Sequence, residues 1–306
     1  MRAIVQVPLR PLEAASWAHS VVPGARYDLS PGFASQRRDD DDEHPALAWD
    51  EAESSLVHAV ADRYNVETSQ VALCPGAGQA VVQALIAMLR PGDHVVVERP
   101  SYEPLFRVPE MLGASVARID RRIEDGWQLV PERLAKVLTP RTRAVVLTNL
   151  HSPSGVACSP RTLAEIAGLA ARVGAALLVD EVLLDFAFDL DPAAPCRPAC
   201  TVADNAISFS STSKGFGLPE LRVGWLVTRD PDLARGLRIA ADYLHTRLPA
   251  ATARLAAHAV RHADDFIPRA NRLASAGRRV VERWAQGEPR VEWIPPHAGM
   301  HTVVRL

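Results

Sequence analysis

The sequence predicts an α/β protein: a mostly parallel sheet sandwiched by helices, with the two ends of the chain forming a smaller α+β unit. Two observations carry this. Short apolar runs of strand length alternate with segments of helical periodicity, the pattern of strand–helix–strand crossovers. The runs are also apolar at consecutive rather than alternate positions, as in His94–Glu98 and Ala175–Val179, which is the pattern of strands covered on both faces.

The elements follow in chain order. Pro11–Val22 reads as a short amphipathic helix, succeeded by Pro/Gly-rich stretches and by the acidic run Asp39–Glu43, a solvated loop. The regular pattern starts with a helix at Trp49–Tyr64, a strand at Gln70–Leu73, a glycine turn at Pro75–Gly78 and a helix at Gln79–Leu89. A strand at His94–Glu98, a helix near Tyr102–Leu112 and a strand at Ser115–Ile119 come next. Pro131–Leu138 is helical and Arg143–Thr148 is a β-branched strand. Pro160–Arg172 places Leu163, Ile166, Leu169 and Ala170 on one helical face. Ala175–Val179, Ala206–Phe209 and Val223–Val227 are strands; helical, Arg/Ala-rich chain then extends beyond Asp230 through His245–Trp284. Two apolar segments, Val291–Ile294 and Met300–Leu306, close the sequence. The expected division is a large domain over residues 45–265 and a discontinuous small domain of residues 1–44 plus 266–306.

Composition narrows the function. The 306 residues carry 34 Lys+Arg against 36 Asp+Glu, a net charge of −2, which lacks the basic excess that phosphate-backbone binding requires. No stretch approaches the roughly 20 apolar residues of a membrane-spanning helix, and no signal peptide is read at Met1–Pro8. Four cysteines are too few for a disulfide scaffold. Cys196 and Cys200 have no second pair nearby, so no metal site is expected and the chain reads as cytoplasmic.

In open α/β sheets ligands bind at the carboxyl ends of strands. The turn Gly76-Ala77-Gly78, immediately before a helix, is suited to a phosphate through its backbone N–H groups and the helix dipole; taken alone it is equally a plain tight turn. Lys214 follows a buried run and the hydroxyl-rich Ser210–Ser213. Desolvation and a neighbouring Arg222 would lower its amine's pKa and make it a Schiff-base nucleophile. Ser211, Ser213 and Arg222 suit a phosphate dianion, although a polar loop is the alternative reading.

These segments together resemble the class I/II aminotransferases, enzymes of fold type I that use pyridoxal 5'-phosphate (PLP). Ser211-x-Ser213-Lys214 with Arg222-Val-Gly224 is similar to the family's lysine signature, Gly76–Gly78 to its phosphate-binding turn, and Pro100-Ser-Tyr102 to the aromatic that stacks on the cofactor. Asn149-Leu-His-Ser-Pro-Ser-Gly155 resembles the N-x-H-N-P-S/T-G stretch, and Asp180-Glu181 the D-E-x-Y strand end. The resemblance implies the PLP transferase fold with a seven-stranded large domain, and amino-group transfer from an amino acid to a 2-oxo acid. It implies Lys214 as the Schiff-base lysine, Asp180 facing the pyridine nitrogen, and Tyr102 stacking on the ring. Gly76, Ala77, Gly78, Ser211, Ser213 and Arg222 would hold the phosphate, with Asn149 and Ser152 lining the cofactor, in a homodimer. Singly, Asp180 reads as a cap and Tyr102 as a core aromatic.

The pattern departs from the family in four places. Ser152 stands where an asparagine donates to the cofactor's phenolic oxygen, and Leu183 where a tyrosine donates to it; His151 or Asn149 are the candidate replacements. Glu220 brings a carboxylate close to the phosphate end. The sequence ends at Leu306, before the arginine that pairs with the substrate carboxylate, and Arg305 and Arg10 are the nearest substitutes by position. A naturally short form, an incomplete product and altered substrate anchoring all stay open. So do a PLP-dependent lyase, cyclase or oxidase, and a paralogue that binds PLP without turnover.

Overall fold

In the computed structural model, residues 49–186 and 196–306 are described. The expected helix at Pro11–Val22, the acidic loop and Arg10 lie outside them. Six strands run in one direction and one against them: β1 (Val71–Cys74), β2 (His94–Arg99), β3 (Ser115–Asp120), β4 (Thr142–Thr148), β5 (Ala176–Asp180), β6 (Ala206–Ser211) and the reversed β7 (Gly224–Thr228). Their order in the sheet is β1-β7-β6-β5-β4-β2-β3, with parallel pairing throughout β6-β5-β4-β2-β3.

The consecutive apolar positions sort by the strand period of two onto opposite faces. Val95, Val97, Val146, Leu178 and Phe209 join Ala84 and Leu85 of α2 (Ala77–Met88) and Leu233 and Leu237 of α6 (Pro231–Leu244) in one core. Val96, Val145, Leu147, Leu177 and Val179 meet Leu163 and Ile166 of α5 (Pro160–Arg172) and Leu134 of α4 (Pro131–Val137) in the other. A third cluster fills between α1 (Trp49–Tyr64), α7 (Ala250–Arg261) and the β1/β7 end of the sheet, around Leu56, Val60, Trp225 and Val227. Among these, α3 (Pro104–Met111) covers the β2/β3 side.

Local chemistry sets the helix starts. Ser159 Oγ accepts from Thr162 N at 3.1 Å ahead of Pro160, and Asp230 Oδ1 accepts from Asp232 N and Leu233 N at 2.9 and 3.0 Å ahead of Pro231. The expected helix at Gln79–Leu89 begins two residues earlier, at Ala77, because the glycine turn at Gly76 already acts as its N-cap.

The C-terminal part departs furthest from the sequence reading. The helical stretch breaks into α7 and α8 (Ala263–Gly287), and α8 has no buried residue. The two closing apolar segments shrink to a two-residue ladder, β8 (Glu292–Trp293) with β9 (Val304–Arg305).

Candidate active site

The carboxyl ends of β2, β4, β5 and β6 reach one edge of the sheet, and β7 enters at that edge. Cross-strand register places Thr148 opposite Asp180, and Gly224 opposite both Cys74 and Ser211. Residues remote in sequence therefore share one rim.

At the β1/β7 end of the rim, Gly76 takes the left-handed φ of +84°. A Cβ there would run into the Arg222 guanidinium. Gly224 is a second required glycine: its Cβ would lie 2.9 Å from Gly76 C, 2.9 Å from Ser210 O and 3.1 Å from Ala77 N. That approach presses the turn against the β6 end. Beyond Gly76, a Cβ on Gly78 would meet open space, and the N–H groups of Ala77 and Gly78 belong to the first helical turn, which has no intrahelical acceptors. Arg222, at φ +52°, donates to Pro219 O at 3.1 Å, and Ser213 N donates to the buried Ser211 Oγ at 3.3 Å. Backbone N–H groups, two hydroxyls and one guanidinium thus gather at a cup whose donors suit a phosphate. Glu220 is exposed in the short turn before Arg222.

Asp180 ends β5 with 7% of its surface exposed. Its Oδ1 accepts from Val182 N at 3.1 Å. Burial pushes its pKa from 3.8 to about 7, against this hydrogen bond; Glu98's charge adds to the rise and Lys214's opposes it. A cationic ring nitrogen placed there would find a carboxylate with little other compensation.

Lys214 is exposed at the end of the β6 turn, which corrects the expectation of an amine already enclosed by burial. The strand run that precedes it is buried, but the chain leaves the sheet at Thr212 and carries the lysine into the opening of the site. Its position is braced from behind. A Cβ on Gly215 would lie 2.6 Å from Asp185 Cβ, Asp185 pairs with Arg63 of α1, and the Arg63 guanidinium lies 5.5 Å from the Phe216 ring centroid. Tyr102, beyond the end of β2, is 52% exposed.

The loop after β4 supplies the remaining polar groups. Asn149 N donates to Asp180 O at 2.8 Å and Asn149 Oδ1 accepts from Cys158 N at 3.0 Å, while its buried Nδ2 has no partner. His151 does not compensate for the altered donors. Its Nε2 donates to Pro100 O at 3.1 Å, so Nδ1 accepts from Ser154 Oγ at 2.6 Å, and burial holds its pKa down at about 2. Leu183 is buried with Leu150, Phe186 and Ala298 in a small apolar cluster, so its position offers the rim no polar atom. Arg305, one of the two nearest substitutes by position for the carboxylate-binding arginine, forms ion pairs with Glu124 and Glu292.

Two features escaped sequence reasoning. Beneath the rim, Glu98 and Arg121 form an ion pair at 2.7 Å with both side chains fully buried. Glu98 Oε1 also accepts from Thr148 N and Thr148 Oγ1, both at 2.5 Å, and Ser152 N donates to Thr148 Oγ1 at 2.9 Å. An acid closing the apolar run Val95–Val97 was the available signal. The second is His301, whose Nε2 lies 3.1 Å from Ser152 Oγ although the two are 149 residues apart in the chain.

The cup, the buried carboxylate, the strand-end lysine and the orphaned Asn149 amide fit the phosphate, ring nitrogen, aldehyde carbon and ring edge of PLP. Fold and site therefore define a PLP-binding scaffold of fold type I. A family model described as "Aminotransferase class I and II" matches residues 50–306, and the chain belongs to that family. Capreomycidine synthase of Streptomyces vinaceus is 35% identical over 76% of this chain and 59% of its own length. Arginine–pyruvate transaminase of Pseudomonas aeruginosa is 33% identical over 53% of this chain and 41% of its own. The chain thus spans about three-fifths or less of these curated relatives. Among solved structures, a PLP-dependent aminotransferase from Streptococcus suis shares the fold, with a TM-score of 0.78, 23% identity, and coverage of 99% of this chain and 78% of that one. The PLP-dependent cyclase OrfR gives a TM-score of 0.71 at 31% identity, covering 80% and 64%.

Proposed function

We propose that this chain binds PLP and carries out amino-group transfer from an amino acid to a 2-oxo acid, with Lys214 as the covalent attachment point. The observation that carries the reading is the convergence at one sheet edge of Lys214, Asp180 and the cup formed by Gly76, Ala77, Gly78, Ser211, Ser213 and Arg222. When bound, PLP supplies an electron sink for the substrate's α-carbon. The protein's own groups do the rest. Arg222, the two serines and the turn N–H groups hold the phosphate dianion and fix the ring's position. Asp180 holds a proton on the ring nitrogen, and its poor solvation makes that pairing strong. Tyr102 packs on the ring face. The Lys214 amine, on a turn open to the site, would take the proton from the substrate α-carbon and deliver it to the cofactor's former aldehyde carbon, on the far side of the nitrogen that links the two. Asn149 and Ser152 line the ring's remaining edge.

Adding PLP to the purified protein, reducing with borohydride and mapping peptides tests this directly. The label is expected on Lys214; no absorbance between about 330 and 430 nm and an unmodified Lys214 would refute covalent binding. Turnover equal to that of Lys214→Ala would instead favour a paralogue that binds without catalysis.

A second reading, a cyclase or lyase on the same scaffold, is favoured by the altered ring-edge positions Ser152 and Leu183 and by the likeness to capreomycidine synthase and OrfR. An amino-acid panel that includes arginine, scored for keto-acid formation, ammonia release, oxygen uptake and cyclised product, separates the two.

The large domain is proposed to span residues 45–265, supported by the confinement of the three main core clusters to residues 52–267. Residues 1–44 and 266–306 would form the small domain. The absence of buried residues in α8 supports a change of environment there. The resemblance also supports a homodimer, which sedimentation velocity tests. Four free cysteines, and no helix among the described residues long and apolar enough to cross a membrane, are compatible with a cytoplasmic location.

A further inference from the structure

PLP's own substitution pattern orients it on this rim. The ring nitrogen lies opposite the aldehyde carbon, and the phosphate arm and the phenolic oxygen flank that carbon on opposite sides. With the nitrogen at Asp180 on β5, the aldehyde carbon at Lys214 after β6, and the phosphate at the β1/β7 end, the phenolic oxygen must point the other way along the strand order, towards the end of β4. Asn149 and Ser152 lie there. Ser152 is held by its backbone N–H to Thr148 Oγ1, which is anchored in turn on buried Glu98.

The segment carrying His301 docks on this same loop. His297 N and Ala298 N donate to Gly155 O at 3.0 and 3.1 Å, and Ala157 N donates to His297 Nδ1 at 3.0 Å. Gly155, at φ +72°, has room for no side chain: a Cβ would lie 2.6 Å from Pro296 Cβ. This close approach delivers His301 to Ser152. A lone serine hydroxyl is free to turn towards or away from an acceptor. With the Nε2–H tautomer of His301 donating to Ser152 Oγ, the serine's own hydrogen is directed outward.

We infer that His301 is a positioning residue which, through Ser152, supplies a hydrogen-bond donor to the phenolic oxygen of bound PLP. This rests on the PLP reading above. The charged and titratable groups facing His301 suit a neutral imidazole. Partial desolvation and the Lys214 charge both lower its pKa, and His151, within the loop after β4, is held neutral as well. Glu98 and Arg121 beneath Thr148 form a closed pair.

The test is an absorbance titration of the PLP-loaded protein, with PLP affinity measured alongside. A donor at the phenolic oxygen draws charge from the adjacent lysine-linked nitrogen, so losing the donor makes that nitrogen more basic. His301→Phe and Ser152→Ala should each raise the spectral midpoint by about one pH unit, a tenfold change in proton affinity, and the double variant no further. His301→Gln, which keeps an N–H donor, should stay near wild type. Ser152→Asn should make the midpoint independent of residue 301, because its amide donates without help. PLP bound to His301→Phe with an unchanged midpoint would overturn the inference, as would a midpoint governed by Asn149→Ala alone. A wild-type protein with no PLP band and no label on Lys214 would sink the underlying reading itself. His301 lies on an exposed loop, and unchanged circular dichroism confirms that each variant is folded.

Discussion

Replacing Glu98 with glutamine is expected to destabilise this protein far more than the loss of one ion pair on its surface would. Glu98 and Arg121 have no solvent exposure, and they meet at 2.7 Å. Burial raises the Glu98 pKa even with Arg121 beside it. The raised value means the folded site favours the carboxylate less than water does. The ionised pair therefore contributes little net stability, and stability linked to this group falls as pH rises from the ordinary carboxylate range towards the folded pKa. Removing one partner is a different matter. Glu98→Gln preserves the acceptor for Thr148 N and Oγ1 but leaves the Arg121 charge buried with only the carbonyls of Trp127 and Thr148, each at 3.2 Å. An uncompensated buried charge costs about 3–5 kcal/mol. Adding Arg121→Met removes that charge, and the double variant should recover more than half of the loss, a coupling of about 2 kcal/mol or more. Urea unfolding at pH 8 on wild type, both singles and the double, at unchanged m-value, measures all four corners. A Glu98→Gln loss below about 1 kcal/mol, or singles that simply add, would refute the reasoning.

Three further outcomes follow from the same rim. Gly224→Ala places a methyl group among rigid backbone atoms of Gly76, Ala77 and Ser210; thermal unfolding should show a loss of about 1–3 kcal/mol, together with weaker PLP binding as the turn shifts. Asp180, with its pKa raised to about 7 in the cofactor-free protein, contributes stability that is full below about 4 and is lost as pH rises towards 7. Asp180→Asn should flatten that part of the pH–stability curve, and a wild-type minus variant difference that is level between pH 4 and 7 would contradict it. Arg222→Lys replaces a planar fork with a point charge and should weaken PLP affinity about tenfold in equilibrium dialysis; unchanged affinity would remove Arg222 from the cup.

Much of the fold was legible because local signals agreed with the tertiary result. The helix at Trp49–Tyr64 and the helix at Pro160–Arg172 lie where the sequence pattern places them, and the seven strands coincide with the apolar runs to within a residue or two. Strand-end polar residues located the rim. The C-terminal third was less legible, because its Arg/Ala-rich periodicity does not say where a long helix breaks. Leu183 and Arg305 were open in sequence and closed in the structure. One sits in the apolar cluster around Leu150, and the other in ion pairs with Glu124 and Glu292. Lys214 was expected to be enclosed, yet the turn beyond Thr212 carries it into the open.

By itself, the sequence determined the α/β class, the strand ends that bear chemistry, and the lysine, aspartate and glycine turn that point to PLP. These are properties of short segments, set by side-chain period and backbone freedom within a few residues. Tertiary structure alone decided which distant groups meet: Glu98 with Arg121 under Thr148, Gly224 against Gly76, Gly155 against Pro296, and His301 with Ser152. The last pair is 149 residues apart in the chain. Such contacts depend on strand order and loop closure, and no local pattern encodes which strand ends will be neighbours.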